Sequence, residues 1–286
     1  MAIHPPFEIL APPLRVPRAF PDELSAERAE PLGALIDRAL DEVLALYPEP
    51  LRSAERADLA RQRFHLAQIY RPGARIADLG GGIGLLSPAC AALGMEAWLI
   101  DDLGDSVNQR FPIDALGVHR RAGVRVLATP VLGFGAHFDD ASLDVVTCIE
   151  SIEHWHHSPR PVMEEVARVL KPGGLFLLAA PNAASALHRS KLLLGRSNWS
   201  RFDDWYYPEE FRGHVREPVL ADLLRIVDEL GLERRAVFGR NWLAAPRGWK
   251  RLALAAADPL LRPFPTLCKD LYVLAKKRAS GAAAPR

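Results

Sequence analysis

The chain has 286 residues, 36 basic and 35 acidic side chains, and a net charge of +1. This balance gives no reason to expect a nucleic-acid partner, and no apolar run approaches the roughly 20 residues that cross a bilayer. The three cysteines are too few and too scattered for a disulfide framework or a metal site. With no signal-peptide pattern at the start, we expect a cytoplasmic protein.

The N-terminal part predicts an arm followed by helices. Residues 1–22 are rich in proline, which removes amide donors and fixes φ, so we expect an extended arm. Apolar residues recur at helical spacing over 22–47 and again over 53–70, which predicts two helices. We therefore assign residues 1–72 to an N-terminal arm and helical cap.

Strands and helices alternate from Arg75 onward. The strand-like runs are RIADL, EAWLI, VRVLAT, LDVVTCI and LFLLAA. Helical patterns separate them, and the helix RPVMEEVARVL is expected to stop at KPGG, before the fifth strand. This alternation predicts parallel strands joined by right-handed crossovers, with the core of the domain over residues 73–182.

The rest of the chain divides into three predicted parts. Residues 183–216 form an insert rich in aromatic and basic side chains. Residues 217–277 return to the same domain with one helix and two last strands, and residues 278–286 form a disordered tail. Within this C-terminal part, the apolar and basic stretch 242–263 either covers the sheet edge, which we favour, or contacts a membrane surface.

Four glycines follow the first strand in the stretch IADLGGGIG, namely Gly80, Gly81, Gly82 and Gly84. Each costs roughly 0.5–1 kcal/mol of backbone entropy relative to alanine, and a bare turn between strand and helix needs only one or two. We therefore expect a ligand to lie against this main chain and the start of the next helix. The spacing departs from the dinucleotide fingerprint G-x-G-x-x-G, because its third glycine position holds Leu85.

An acid closes the second predicted strand. Asp101 lies about twenty residues after the glycine loop, where a carboxylate accepts both hydroxyls of a ribose. Asp102 takes this role if the strand register differs by one residue. The pattern indicates a nucleoside-containing cofactor, with a solvated acidic loop end as the alternative.

These motifs, followed by LDVVTCIESIEHWHHSP and VARVLKPGGLFLLAAPN, occur in the order found in class I S-adenosylmethionine-dependent methyltransferases, which the chain resembles over Arg75 to Asn182. The resemblance implies an α/β, Rossmann-like, seven-stranded and mostly parallel sheet with helices on both faces and the last strand antiparallel. It also implies S-adenosyl-L-methionine as the cofactor. The residues that match the family's cofactor site are Asp78, Gly80, Gly81, Gly82 and Gly84 for the methionine part, Asp101 for the ribose, and Glu150 for the methionine side and the acceptor pocket.

Two positions depart from the family pattern around the adenine. Asp102 stands where members usually have an apolar residue, and the stretch after the third strand lacks the acid that often meets the adenine amino group. Adenine recognition is then expected from backbone groups or from Thr129.

Methyl transfer to an alcohol requires a base near neutral pH, and histidine suits this task. His154 follows the fourth strand and is our first candidate for a base or an acceptor-orienting group, with a packing role as the alternative. His156 and His157 are expected at the loop surface.

Glu150, Glu153 and His154 have i, i+3, i+4 spacing and share one face if the segment is helical. Carboxylates and an imidazole can hold a divalent cation, and E-x-x-E-H resembles a segment of ubiquinone-pathway O-methyltransferases for which a metal role is suggested. Metal-independent relatives carry the same letters, so we expect no metal.

The insert supplies the acceptor candidates. Trp205, Tyr206 and Tyr207 offer flat faces for sugar rings or aromatic acceptors, with an aromatic mini-core at the sheet edge as the alternative. His214 and Arg216 are placed to orient hydroxyls or a phosphate, and GHVRE resembles methyltransferases of glycan pathways.

Together these observations predict an S-adenosylmethionine-dependent O-methyltransferase that acts on a small-molecule or saccharide hydroxyl. The alternatives are N- or C-methylation of a small molecule and a non-catalytic, cofactor-binding partner subunit.

Overall fold

The computed structural model describes residues 26–49, 51–104, 114–242 and 256–279. The proline-rich arm, nearly all of the predicted tail and most of the 242–263 stretch lie outside these ranges. Among the described residues, no helix has the length and apolar character that crossing a membrane requires.

The helices before the sheet number three in the described part of the chain, where the sequence predicted two. They are α1 (Ala26–Ala45), α2 (Leu51–Arg56) and α3 (Leu59–Ile69). The second predicted helix is divided because the amides of Ala57 and Asp58 bond back to carbonyls only three residues earlier. The chain makes a turn at these two residues, and α3 starts after it.

Seven strands form one sheet in the order β3-β2-β1-β4-β5-β7-β6. Their bounds are β1 Arg75–Leu79, β2 Glu96–Asp101, β3 Arg125–Ala128, β4 Leu143–Ile149, β5 Leu170–Pro181, β6 Glu233–Arg240 and β7 Asp270–Lys276. The first five strands pair in parallel, and β7 runs antiparallel to both β5 and β6. The predicted seven-stranded, mostly parallel sheet is confirmed.

The predicted KPGG stop lies inside β5 rather than before it. β5 starts at Leu170, opposite Leu143 of β4, and the pairing resumes only at Leu175, opposite Val145. Residues 171–174 therefore form a bulge within the strand, which the two glycines accommodate.

The remaining described helices with complete bounds are α4 (Leu86–Ala92), α5 (Asp114–Arg121), α6 (Arg160–Val169), α7 (Ala186–Leu193), α8 (Phe202–Tyr206) and α9 (Leu220–Glu229). Side chains alternate along the strands, so the sheet packs on both faces. Ile76 and Val145 contribute to the core shared with α1 and α4, whereas Ala77 and Val146 contribute to the core shared with α6 and α9. Helices on both faces agree with the predicted Rossmann-like architecture.

Candidate functional site

The main cleft lies beyond the carboxyl ends of β1 and β4, where the strand order reverses on either side of β1. This position is where open parallel sheets bind their ligands. The cleft has a volume of about 680 Å³ and is lined by the glycine loop, the ends of β2 and β4, and one side of α3. The sequence motifs that were predicted to bind a cofactor therefore converge at one place.

The glycine loop is shaped by its protein neighbours as well as by access for a ligand. Gly80 has a φ of +71°, and a Cβ at that position would overlap the hydroxyl of Ser151. A Cβ at Gly81 would overlap the carboxylate of Asp78. The first two glycines are thus required by close contacts within the protein, whereas a Cβ at Gly84 would find its nearest atom 3.4 Å away.

Asp78 is buried at the floor of the main cleft, beneath the loop. It accepts hydrogen bonds from the hydroxyls of Ser87 at 2.8 Å and Thr147 at 2.6 Å. Burial raises the pKa of Asp78 to about 6, although both hydrogen bonds act to lower it. Its role in the structure is to support the loop from below.

Asp101 joins the end of β2 to the glycine loop. One carboxylate oxygen accepts the amide of Gly82 at 2.8 Å, and the other accepts the amide of Leu103 at 2.6 Å. Leu103 adopts a φ of +57°, in the left-handed region that non-glycine residues seldom adopt. These two hydrogen bonds fix the carboxylate at the edge of the main cleft. There it can accept hydrogen bonds from the hydroxyls of a ribose.

Asp102 and Thr129 occupy different surroundings. Asp102 lines the main cleft, but its carboxylate accepts the amide of Gly104 at 2.9 Å and lies 3.6 Å from a guanidinium nitrogen of Arg212. Thr129 is not among the residues that line the main cleft, whereas its neighbours Pro130 and Val131 are. Pro130 and Val131 offer an apolar surface beside the end of β3.

α3 contributes to the main cleft, which its sequence did not predict. Arg61 forms an ion pair with Glu150, and both line the main cleft. The same guanidinium contacts Asp58 at 2.8 Å, and these two carboxylates raise the pKa of Arg61 although burial opposes them. Glu150 itself has a φ of +50° at the end of β4. The predicted cofactor residue Glu150 is therefore held by a helix of the N-terminal cap.

Two polar atoms of α3 are buried without a hydrogen-bond partner among the described residues. Gln62 and His65 line the cleft, and within the described residues neither Oε1 of Gln62 nor Nδ1 of His65 has a hydrogen-bond partner. Burial lowers the pKa of His65 to about 3, so its ring is neutral. Buried polar atoms are usually paired, so these two are exceptions within α3.

A second cavity of about 240 Å³ adjoins the main cleft, and both are lined by Glu150 and His154. Six further ionisable residues line the second cavity in the described part of the chain. They are Glu153, His188, His214, Glu217, Lys269 and Asp270.

His214 and Glu217 form a dyad in this second cavity. Nδ1 of His214 donates to a carboxylate oxygen of Glu217 at 2.7 Å, since only the imidazole can donate there. This hydrogen bond is the main cause that raises the pKa of His214 above 6.5. Burial acts to raise the pKa of Glu217, but the hydrogen bond and nearby cations hold it below 4.5. The arrangement leaves Nε2 of a neutral His214 as an acceptor of protons.

His154 stands at the junction between the main cleft and the second cavity. Its Nδ1 lies 3.1 Å from the carbonyl oxygen of Arg212, which can only accept, so Nδ1 carries the proton and Nε2 is the acceptor nitrogen. The ring meets that of His214 edge to face, with centroids 4.7 Å apart. The two predicted catalytic histidines are therefore neighbours.

The predicted metal candidates are not brought together as a group. The segment after β4 is a short 3-10 helix, Ile152–His154, and the carboxylate of Glu150 pairs with Arg61 instead. Ligand atoms of Glu153, His154 and His214 lie within 4.8 Å of one another. A carboxylate with two imidazoles is a donor set that suits a divalent metal, so the geometry replaces Glu150 with His214 as the third candidate.

Glu153 is the most deeply buried acid of the second cavity. It is 1% exposed, and within the described residues neither carboxylate oxygen has a hydrogen-bond partner. Burial raises the pKa of Glu153 to about 8, so the side chain is protonated at neutral pH.

The aromatic side chains of the insert do not form the mini-core considered above. Trp205 is 57% exposed and Tyr207 is 71% exposed, and the ring contacts of both are with Phe202 and Tyr206. Arg216 is exposed and contacts Asp222 at 3.3 Å.

The main cleft and its position in the sheet define a Rossmann-like protein that binds a nucleoside-containing cofactor. Residues 51–237 match a family described as a methyltransferase domain, and the chain belongs to this family. It is a class I S-adenosylmethionine-dependent methyltransferase, and S-adenosyl-L-methionine is its cofactor.

Curated relatives match part of the chain. A ubiquinone biosynthesis O-methyltransferase of Idiomarina loihiensis is 31% identical over 167 residues, which are 58% of this chain and 65% of that protein. The protein of the same name from Xanthomonas campestris pv. campestris is 35% identical over 120 residues, 42% of this chain and 48% of that protein. The chain thus spans between about half and two thirds of the length of these relatives.

Solved structures share the fold. A SAM-dependent methyltransferase of Methanosarcina mazei superposes with a TM-score of 0.52 at 17% identity, over 76% of this chain and 98% of that one. The 1,6-didemethyltoxoflavin-N1-methyltransferase of Burkholderia thailandensis, solved with 1,6-didemethyltoxoflavin and S-adenosylhomocysteine, gives a TM-score of 0.50 at 17% identity, over 91% and 94%. At this identity the likeness concerns the fold alone.

Proposed function

We propose that the chain methylates a hydroxyl group of a small molecule or saccharide that binds in the second cavity. One observation carries the proposal: the His214–Glu217 dyad lies in a cavity that meets the main cleft at His154. A base held by a carboxylate, next to the place where a methyl donor binds, is what an alcohol acceptor requires. The names of the curated relatives, which are O-methyltransferases, support the same acceptor atom.

The main cleft provides opposite charges for a zwitterion. The methionine part of the cofactor carries one carboxylate and one ammonium group. The guanidinium of Arg61 matches the carboxylate, and the carboxylate of Glu150 matches the ammonium. We therefore expect this ion pair to separate and each partner to bind one end of the amino acid, while Asp101 binds the ribose.

The bound cofactor supplies a methyl group activated on a positively charged sulfur. Nε2 of His214 takes the proton of the acceptor hydroxyl as its oxygen bonds to the methyl carbon and the carbon–sulfur bond breaks. Glu217 stabilises the resulting imidazolium, and Nε2 of His154 is placed to orient the acceptor. General-base catalysis of this kind contributes about 10²–10⁴-fold to the rate.

The biological setting we propose is glycan or secondary-metabolite biosynthesis in the cytoplasm. The second cavity is lined almost entirely by ionisable side chains, which suit the hydroxyl groups of a saccharide. The three cysteines are buried and unpaired, which fits a reducing compartment.

The test is a screen of labelled-methyl transfer over sugars, nucleotide-sugars, lipids and phenols, with product analysis to locate the methyl group. We expect an O-methyl product whose formation falls at least a hundredfold in His214→Ala, with unchanged S-adenosylhomocysteine affinity. His137→Ala is the control, because His137 is exposed on another segment. Methylation on nitrogen or carbon, or full activity of His214→Ala, would contradict the proposal.

A further inference from the structure

An unusual amount of apolar side chain is exposed on one continuous segment. We define the 187–207 surface as α7 from Leu187, the loop that follows, and α8 with Tyr207. Its exposed large side chains are Leu187, Leu192, Leu193, Leu194, Trp199, Phe202, Trp205, Tyr206 and Tyr207. Leu193 is 89% exposed and Trp199 is 74% exposed. Single apolar residues on a surface are ordinary, but a concentration of this kind marks a docking site.

All charged side chains of the 187–207 surface before α8 are basic. Arg189, Lys191, Arg196 and Arg201 lie between positions 187 and 201, and no acidic residue does. Within the described residues, the side chains of Arg196 and Arg201 form no hydrogen bond or ion pair. A cationic segment mixed with leucine and aromatic side chains is complementary to an anionic and partly apolar partner.

α8 separates its aromatic residues from its acids. At 100° per residue, Phe202, Trp205 and Tyr206 lie on one side of the helix, and Asp203 and Asp204 lie on the other. The rings of Phe202 and Tyr206 stack at 4.8 Å on that side. The aromatic side can therefore contact a partner while the acids face away from it.

We propose that the 187–207 surface docks peripherally on a bilayer that contains anionic phospholipid. Tryptophan and tyrosine favour the interface between lipid and water, and the long stems of lysine and arginine lie along apolar surface while their charges reach the headgroups. A second copy of the chain fits less well, because a two-fold axis through 187–201 would bring the four cations toward one another.

The position of α7 places the docking surface next to the second cavity. His188 lies on the buried side of α7, lines the second cavity and contacts Glu217 at 3.6 Å. A bilayer against the other side of α7 would lie next to the second cavity, so an acceptor with a lipid tail could present its head group there. This consequence rests on the proposed function, whereas the docking itself does not.

The experiment is sedimentation of the full chain with vesicles of phosphatidylcholine alone and with phosphatidylglycerol added. We expect binding that requires the anionic lipid and weakens with salt. Arg196→Ala combined with Arg201→Ala should lower the partition coefficient by roughly 25-fold, about fivefold for each charge. Leu193→Asn should lower it by roughly tenfold or more. The matched control, Arg160→Ala with Arg225→Ala on α6 and α9, should leave binding unchanged.

Equal or absent binding to both vesicle types overturns the proposal, as does equal binding by the variants and the native chain. If Leu193→Asn instead converts an oligomer to a monomer and vesicles remain unbound, the surface is a contact between copies and the proposal is also wrong. Unchanged S-adenosylhomocysteine affinity in each variant shows that the fold is intact. Vesicle binding is measured without an acceptor, so its failure is distinct from failure of the proposed function.

Discussion

The Arg61–Glu150 pair allows a direct test of how the main cleft binds its cofactor. The two side chains are 24% and 32% exposed, so their contact is largely shielded from water. If Arg61 binds the carboxylate of the cofactor, Arg61→Ala removes one charge-assisted contact, worth about 1.5–3 kcal/mol. The dissociation constant for S-adenosylhomocysteine should then rise by about 10- to 150-fold.

Calorimetric titration with two ligands separates this effect from general damage. 5′-Methylthioadenosine retains the adenosine but lacks the amino-acid part, so its affinity should change less than about twofold in Arg61→Ala. Arg63→Ala is the matched control, because Arg63 lies two residues away and pairs with Asp37 at 3.1 Å outside the main cleft. Equal weakening of both ligands by Arg61→Ala, or weakening of neither, would refute the reasoning.

Three further predictions concern the carboxylates around the site. Asp101→Ala should weaken both S-adenosylhomocysteine and 5′-methylthioadenosine, by about tenfold or more in calorimetry, because both contain the ribose; unchanged affinities would show that the ribose binds elsewhere. Glu217→Gln should move the acid limb of the pH–rate profile to lower pH, since Glu217 raises the pKa of His214 and only the neutral imidazole accepts a proton; an unmoved limb would contradict the dyad. Burial raises the pKa of Glu153 from 4.5 to about 8, so the folded chain holds this proton more tightly and the free energy of unfolding falls as pH rises through that interval. In denaturant titrations, the free energy of unfolding should fall less between pH 5 and pH 8 in Glu153→Gln than in the native chain. An equal fall in both proteins would contradict the prediction.

The sequence was sufficient for the sheet because each strand carries its own signal. Alternating strands and helices predict parallel pairing, and the glycine loop and Asp101 mark the carboxyl ends of two neighbouring strands. The bulge in β5 was missed because a lysine–proline–glycine–glycine sequence predicts a turn equally well. Local patterns specify which residues are extended, but the pairing of Leu170 with Leu143 depends on the neighbouring strand.

The cleft-facing side of α3 was missed for a different reason. Apolar spacing predicts which side of a helix packs on the core, but it assigns no role to polar residues such as Arg61. The available signal was polar: Asp58, Arg61, Gln62 and His65 follow i, i+3, i+4, i+7 spacing, and all four line the main cleft. A polar stripe of this kind is typical of any solvated helix, so only the position of α3 beside β4 gives it a function.

The second cavity depends on contacts that no local pattern contains. His154 and His214 are 60 positions apart, and backbone hydrogen bonds bring their segments together, since the amides of Val215 and Arg216 donate to the carbonyl of Glu153 at 2.7 and 3.2 Å. The end of the insert is therefore fixed to the segment that also forms the main cleft, while the large apolar side chains of the 187–207 surface are exposed. Substitutions on that surface can then alter what the chain docks on or accepts without displacing Asp101 or the glycine loop. Cofactor affinity and acceptor preference should accordingly respond to separate sets of residues.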